Sequence, residues 1–251
     1  MCFYYAVTHK NPHALVGKGI VKEEQLSLFD ERHIVSGFDH PSMPLITSAE
    51  PDKISFFRWG MLPQSISSDE QAKAFLNKYN TLNAKADEVF ESRLYADAVL
   101  HRRCLVLCSG FFEWRMVKKE KIPYYISLKN DEMFVFAGIW SESVDKTGKK
   151  HQTFSVLTTE ANEMMAEIHN TKKRMPVILT PDSAEQWLKP DLPVDEIRKL
   201  LIPLPSEQMK AHTIQKFIPS KANELNNPNI IAYYSYSAMN DLFTSNNSLF
   251  R

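Results

Sequence analysis

Cys2 has a chemistry that depends on its place in the chain. Once a methionine ahead of it is removed, which its small side chain permits, it carries a thiol and a free α-amine on adjacent carbons. That amine ordinarily titrates at about 7.7 to 8.0, so both nucleophiles are usable near neutral pH. Two reactions need the pair. In one, the thiol attacks an acyl carbon with the amine as base. In the other, the amine condenses with an aldehyde to an imine and the thiol closes a five-membered thiazolidine. Residue type alone leaves a third reading open, a small apolar side chain buried at the start of a strand.

Three further segments carry chemistry-bearing side chains. RRCLVLCSGFFEWR at 102–115 is strand-forming and holds one carboxylate, Glu113, among aromatic residues. Strand alternation puts Phe111 and Glu113 on one face and Phe112 and Trp114 on the other, and partial burial would raise the Glu113 pKa toward acid/base use. The alternative is an edge-strand glutamate paired with Arg103 or Arg115. EIHNTKKRMPVIL at 167–179 places His169 at the end of a helix, either to move protons or to interact with the helix dipole. LNAK at 82–85 offers Asn83, able to orient a neighbouring amine or to stand in a turn, and Lys85, able to bind phosphate. Cys104 and Cys108 share a strand face without a histidine partner and read as core.

Positioning these residues requires a folded core, which the composition supports. The chain has 251 residues, 43% hydrophobic and 24% charged, enough to bury a core without disulfides or metal. Three cysteines without Cys-x-x-Cys spacing suggest reduced thiols and no metal site. The 30 basic and 30 acidic residues cancel, which opposes coating of nucleic acid by bulk charge and leaves room for a focused basic strip. Only 7 glycines occur, and Gly17-Lys18-Gly19 extends into no phosphate-binding loop. The longest apolar stretch, at 133–140, falls short of the roughly 20 residues of a membrane span. With no secretory signal visible, a cytoplasmic location is expected. Strands are expected at 2–7, 54–59, 104–114, 124–128, 133–139, 154–158 and 175–179. Helices are expected at 69–79, 160–168, from 182, and at 194–201. Their irregular alternation predicts a mostly antiparallel α+β fold in a single domain.

Taken together, these segments resemble the SOS response-associated peptidase (SRAP) family. The resemblance rests on Met1-Cys2, WGMLP at 59–63, LNAK at 82–85, ESR at 91–93, GFFEW at 110–114, TTEAN at 158–162, and His169 followed by RMPVIL at 174–179, all in order. It implies one domain over 1–240 with a barrel-like β core and peripheral helices, a frayed tail at 241–251, and a groove for single-stranded DNA at an abasic site. Cys2 would form the DNA-protein crosslink, Asn83 would hold its amine, Glu113 would be the acid/base, and His169 would assist. Lys85, Arg93 and Arg174 would face phosphates, and Trp59 and Pro63 would shape the groove, with a core tryptophan an equally good account of Trp59. The same four catalytic residues are proposed in the family to remove residues ahead of the cysteine. The resemblance implies a monomer without cofactor, metal or membrane. An N-terminal-nucleophile hydrolase acting on peptides or amides is the competing reading.

Several positions depart from the family pattern. Phe3 and Tyr4 stand where Gly-Arg often follows the cysteine, and Gln64, Ser65 and Ile66 stand where tryptophans often follow the W-G-x-x-P motif. Lys85 replaces an arginine, keeping charge and losing bidentate geometry. Asn170 to Lys173 lengthen the segment between His169 and Arg174.

Overall fold

The computed structural model describes residues 2–236, so the expected 241–251 tail lies outside the described residues. The strands are β1 (Tyr4–Val7), β2 (Arg32–Ser36), β3 (Ser42–Thr47), β4 (Glu50–Trp59), β5 (Asn83–Lys85), β6 (Arg103–Cys108), β7 (Gly110–Val117), β8 (Glu120–Leu128), β9 (Phe134–Val144), β10 (Lys150–Glu160), β11 (Arg174–Pro176), β12 (Ile178–Leu179) and β13 (Met209–Thr213). The α-helices are α1 (His13–Gly17), α2 (Asp69–Lys78), α3 (Ala96–His101), α4 (Glu163–Ile168), α5 (Pro181–Trp187) and α6 (Val194–Leu200). None is long and apolar enough to cross a membrane.

Two sheets share the core. One is antiparallel, in the order β13-β8-β7-β1-β2. In the other, β10, β4, β3, β6 and β9 pair in sequence, and β9 pairs back onto β10, closing a five-stranded barrel. All its ladders are antiparallel except β4 on β10, and β5 adds to β10 in parallel as well. The expected mostly antiparallel α+β fold with a barrel-like core is therefore present. Phe111 of β7 faces the main core beside Phe136, whereas Phe112 lies in a second cluster with Tyr4 and Tyr125, joined by Trp114 and Phe217. Each large apolar side chain in these layers contributes about 1.5–3 kcal/mol of burial.

The run expected as one strand at 104–114 is two. At Ser109, whose N–H donates to the Ala6 carbonyl, the chain leaves the barrel for the other sheet. Gly110 permits the crossing, because a Cβ there would lie 2.1 Å from the Tyr125 hydroxyl. β7 is an interior strand, not an edge. Arg103 does not pair with Glu113 either: its guanidinium binds backbone carbonyls at the ends of α3 and α5. LNAK is not a turn but contains β5.

Candidate active site

Cys2 precedes β1 and is 0% exposed, its Sγ 3.5 Å from the Tyr4 carbonyl oxygen. Asn83 reaches it from the first position of β5, where pairing with Val156 of β10 holds the backbone. Its Nδ2 donates to the Cys2 carbonyl oxygen at 2.9 Å. Its Oδ1 is buried with no hydrogen-bond partner among the described residues, a state that costs about 1–3 kcal/mol. One end of the amide thus grips the Cys2 backbone while the other is an unused acceptor.

Glu113 comes from β7, two residues beyond Phe111, which pairs with Tyr5 of β1, and it is close enough for its charge to act on the Cys2 thiol. It is 5% exposed. Burial, and after it the Glu113 charge, push the Cys2 thiol well above the ordinary cysteine value. The thiol is therefore protonated at neutral pH and reacts only with a base beside it.

His169 closes α4, its N–H donating to the Met165 carbonyl at 2.7 Å, and it is 7% exposed. Two contacts clamp this helix end to β7. Arg115 pairs with Glu167 at 2.8 Å. Asn170 accepts from the Met116 N–H at 3.1 Å and donates to the Met116 carbonyl at 2.9 Å. The lengthened 170–173 segment folds into a tight turn on the His169 carbonyl, with Lys173 at φ +48°. That turn returns Arg174 to the imidazole, where Nδ1 lies 2.8 Å from the Arg174 carbonyl oxygen. A carbonyl has no proton to give, so at this distance Nδ1 is the donor, and in the tautomer protonated there the ring lone pair is on Nε2. Sequence reasoning missed Asn170, Arg115 and Glu167 as the parts that hold His169, since nothing in their types distinguishes a clamp from a solvated surface. Among the described residues no three histidine, cysteine or acidic side chains gather as a metal site.

The SOS response associated peptidase (SRAP) family model matches residues 1–221. The chain belongs to that family. It is 30% identical over 212 residues to the abasic site processing protein YoqW of Bacillus subtilis, covering 80% of this chain and 90% of YoqW. It is 29% identical over 189 residues to the abasic site processing protein HMCES of Gallus gallus, covering 66% of this chain and 54% of HMCES. Among solved structures, a protein from Bacteroides thetaiotaomicron superposes with a TM-score of 0.80 at 37% identity, covering 93% of this chain and all of that one.

The basic side chains expected to face phosphates stand at different depths. Lys85 is partly exposed, 2.5 Å from Glu88, and Arg93 is exposed on the turn before α3. Arg174 is mostly covered, its Nη2 donating at 2.7 Å both to Asp87 and to the Thr158 carbonyl. Pro63 is half-buried. Of its two readings, groove and core, Trp59 takes the core in the structure. It is 0% exposed, with Tyr5 and Phe154 against its ring, and its Nε1 donates to the Leu82 carbonyl at 2.8 Å. Such a ring shows no surface to a ligand; it braces the backbone one residue before Asn83. Cys104 and Cys108 are buried in β6.

Proposed function

We propose that this chain captures the open-chain aldehyde of an abasic site in single-stranded DNA as a covalent adduct of Cys2, once the residue ahead of Cys2 is removed. The observation that carries the reading is the divided Asn83 amide, gripping the Cys2 carbonyl through Nδ2 and offering a buried, unused Oδ1 to an α-amine. In the reaction the amine adds to the aldehyde carbon and water leaves, giving an imine. The Glu113 carboxylate takes a proton from the adding amine nitrogen and returns it to the hydroxyl, which departs as water. The thiol sulfur then adds to the imine carbon, His169 Nε2 takes the thiol proton, and the ring nitrogen is protonated, so aldehyde and aminothiol become thiazolidine and water. A raised thiol pKa suits this order, because the amine reacts first and the sulfur is deprotonated only as it attacks. The curated relatives named above, called abasic site processing proteins, support the substrate.

Lys85, Arg93 and Arg174 are assigned to phosphates beside the lesion, which gives affinity without sequence preference and a dependence on salt. The same four central residues are assigned the cleavage that frees Cys2, the peptidase chemistry of the family description. The test mixes protein, shown by intact mass to lack Met1, with a single-stranded oligonucleotide carrying one abasic site, followed by a denaturing gel. The expected adduct is heat-stable, absent with Cys2→Ala and absent with an undamaged strand. No adduct from protein lacking Met1 overturns the proposal, and catalytic turnover of a peptide that requires Cys2 would favour a hydrolase instead.

A further inference from the structure

A cavity of about 380 Å³ opens where Arg174 leaves the active site, lined by Asp87, Phe90, Glu160, Arg174 and Arg198, with Thr159 behind them. This falls within the roughly 300–1,000 Å³ range of small-molecule sites. It adjoins the chemistry through one residue, since the Arg174 carbonyl fixes His169 while the Arg174 side chain lines the cavity. On its other side Ala86 follows Asn83 by three residues, about 10 Å of extended chain. Its floor is anchored, because the Thr159 hydroxyl donates to the Leu201 carbonyl at 3.0 Å and ties the end of α6 to β10.

The lining restricts what can enter. Arg198 is exposed on α6, and its guanidinium lies 4.0 Å from the centre of the Phe90 ring, so one face of a planar cation is backed by an aromatic ring. Two guanidinium groups oppose a cation, and two carboxylates, Asp87 and Glu160, oppose a bare anion. A neutral planar group with both donor and acceptor edges satisfies all four. Arg174 also keeps a buried Nε without a partner among the described residues. We propose that this cavity receives an unpaired nucleobase of the strand flanking the captured aldehyde, stacked on the Arg198–Phe90 pair and contacted at its edges by Asp87 and Glu160. The proposal rests on the DNA reading above and adds a base-binding subsite to it.

The experiment measures reversible binding by fluorescence anisotropy, using short single strands in which a tetrahydrofuran spacer replaces the abasic sugar, so that no aldehyde is present. In a strand series, one flanking nucleoside at a time is also replaced by a baseless spacer. One position, on one side of the lesion, should weaken binding about fivefold or more when its base is removed, the scale of a single stacked base. Arg198→Ala, checked for an unchanged thermal melt, should bind the full strand as weakly as the native protein binds that spacer strand. Arg198→Lys should lose the base dependence yet keep the native salt dependence, which separates stacking from charge. The proposal is overturned if native binding ignores every flanking base, or if Arg198→Ala retains the native dependence. Failure of the capture chemistry is read separately, as a missing crosslink to aldehyde-bearing strands on a denaturing gel.

Discussion

Truncating Asn83 to alanine tests whether one amide sets the reactive geometry of Cys2. Asn83→Ala removes the 2.9 Å donation to the Cys2 carbonyl and the buried Oδ1 acceptor together. Because Cys2 is fully buried, its carbonyl has no water to replace the lost donor, and an unsatisfied buried acceptor costs about 1–3 kcal/mol. If that cost falls on the reactive arrangement of the aminothiol, the crosslinking rate drops by about fivefold to about 150-fold. Single-turnover crosslinking at saturating abasic strand, followed on denaturing gels, reads this rate, and reversible binding to a spacer strand reads affinity. Affinity should be unchanged, since Asn83 is assigned to positioning and not to phosphate contact. Asn83→Asp should react more slowly still, because it sets an acceptor against the Cys2 carbonyl. A rate for Asn83→Ala within about twofold of native, well under the loss expected for one buried hydrogen bond, refutes the reasoning.

Glu113→Gln removes the charge that adds to burial in raising the Cys2 thiol pKa. Iodoacetamide should then modify Cys2 faster at pH 8 to 9 while crosslinking slows; a slower alkylation would contradict the assigned electrostatics. Arg103, 0% exposed, donates to the carbonyls of Trp187, Val99, Leu100, Lys189 and Pro190. Arg103→Leu orphans these acceptors and should lower unfolding free energy by about 3–5 kcal/mol in urea titrations. In the β9–β10 turn, the Thr147 hydroxyl, with backbone N–H groups of Thr147 and Lys149, holds the Asp145 carboxyl down at about 2. A depressed folded-state pKa stabilises above the ordinary carboxylate value of about 4 and is lost as pH falls toward 2. Asp145→Asn should therefore melt below native at pH 7 and match it near pH 2, measured by thermal scans at both values.

Much of the secondary structure was legible locally. β1, β4, β8, β9 and β10 coincide with β-branched and aromatic runs, and α2 begins where Ser68 accepts from the Gln71 N–H. Of the strands that escaped, β3, β5 and β13 have local reasons. β3 carries Pro44, which argues against a strand, yet the ladder to β6 begins only at Leu45, so the missing donor costs nothing there. β13, with sequence MKAHT, is a half-polar edge, and β5 is three residues long. Such segments become strands because a neighbour with free backbone groups lies beside them.

The sequence by itself determined which side chains can do the chemistry, in what order they occur, and that Phe111 and Glu113 share a face. Those facts follow from residue type and from the two-residue period of a strand. Only the tertiary structure decided which side chains come to Cys2 and what holds the rest. Asn83 reaches Cys2 across 81 residues because β5 adds in parallel to β10, and Glu113 reaches it because the chain changes sheets at Ser109. His169 is held through the Asn170 clamp on Met116. Trp59, an equally good groove residue by its type, became a buried brace for the same reason. Strand partners and helix docking are chosen by packing between distant segments, and local periodicity carries no record of that choice.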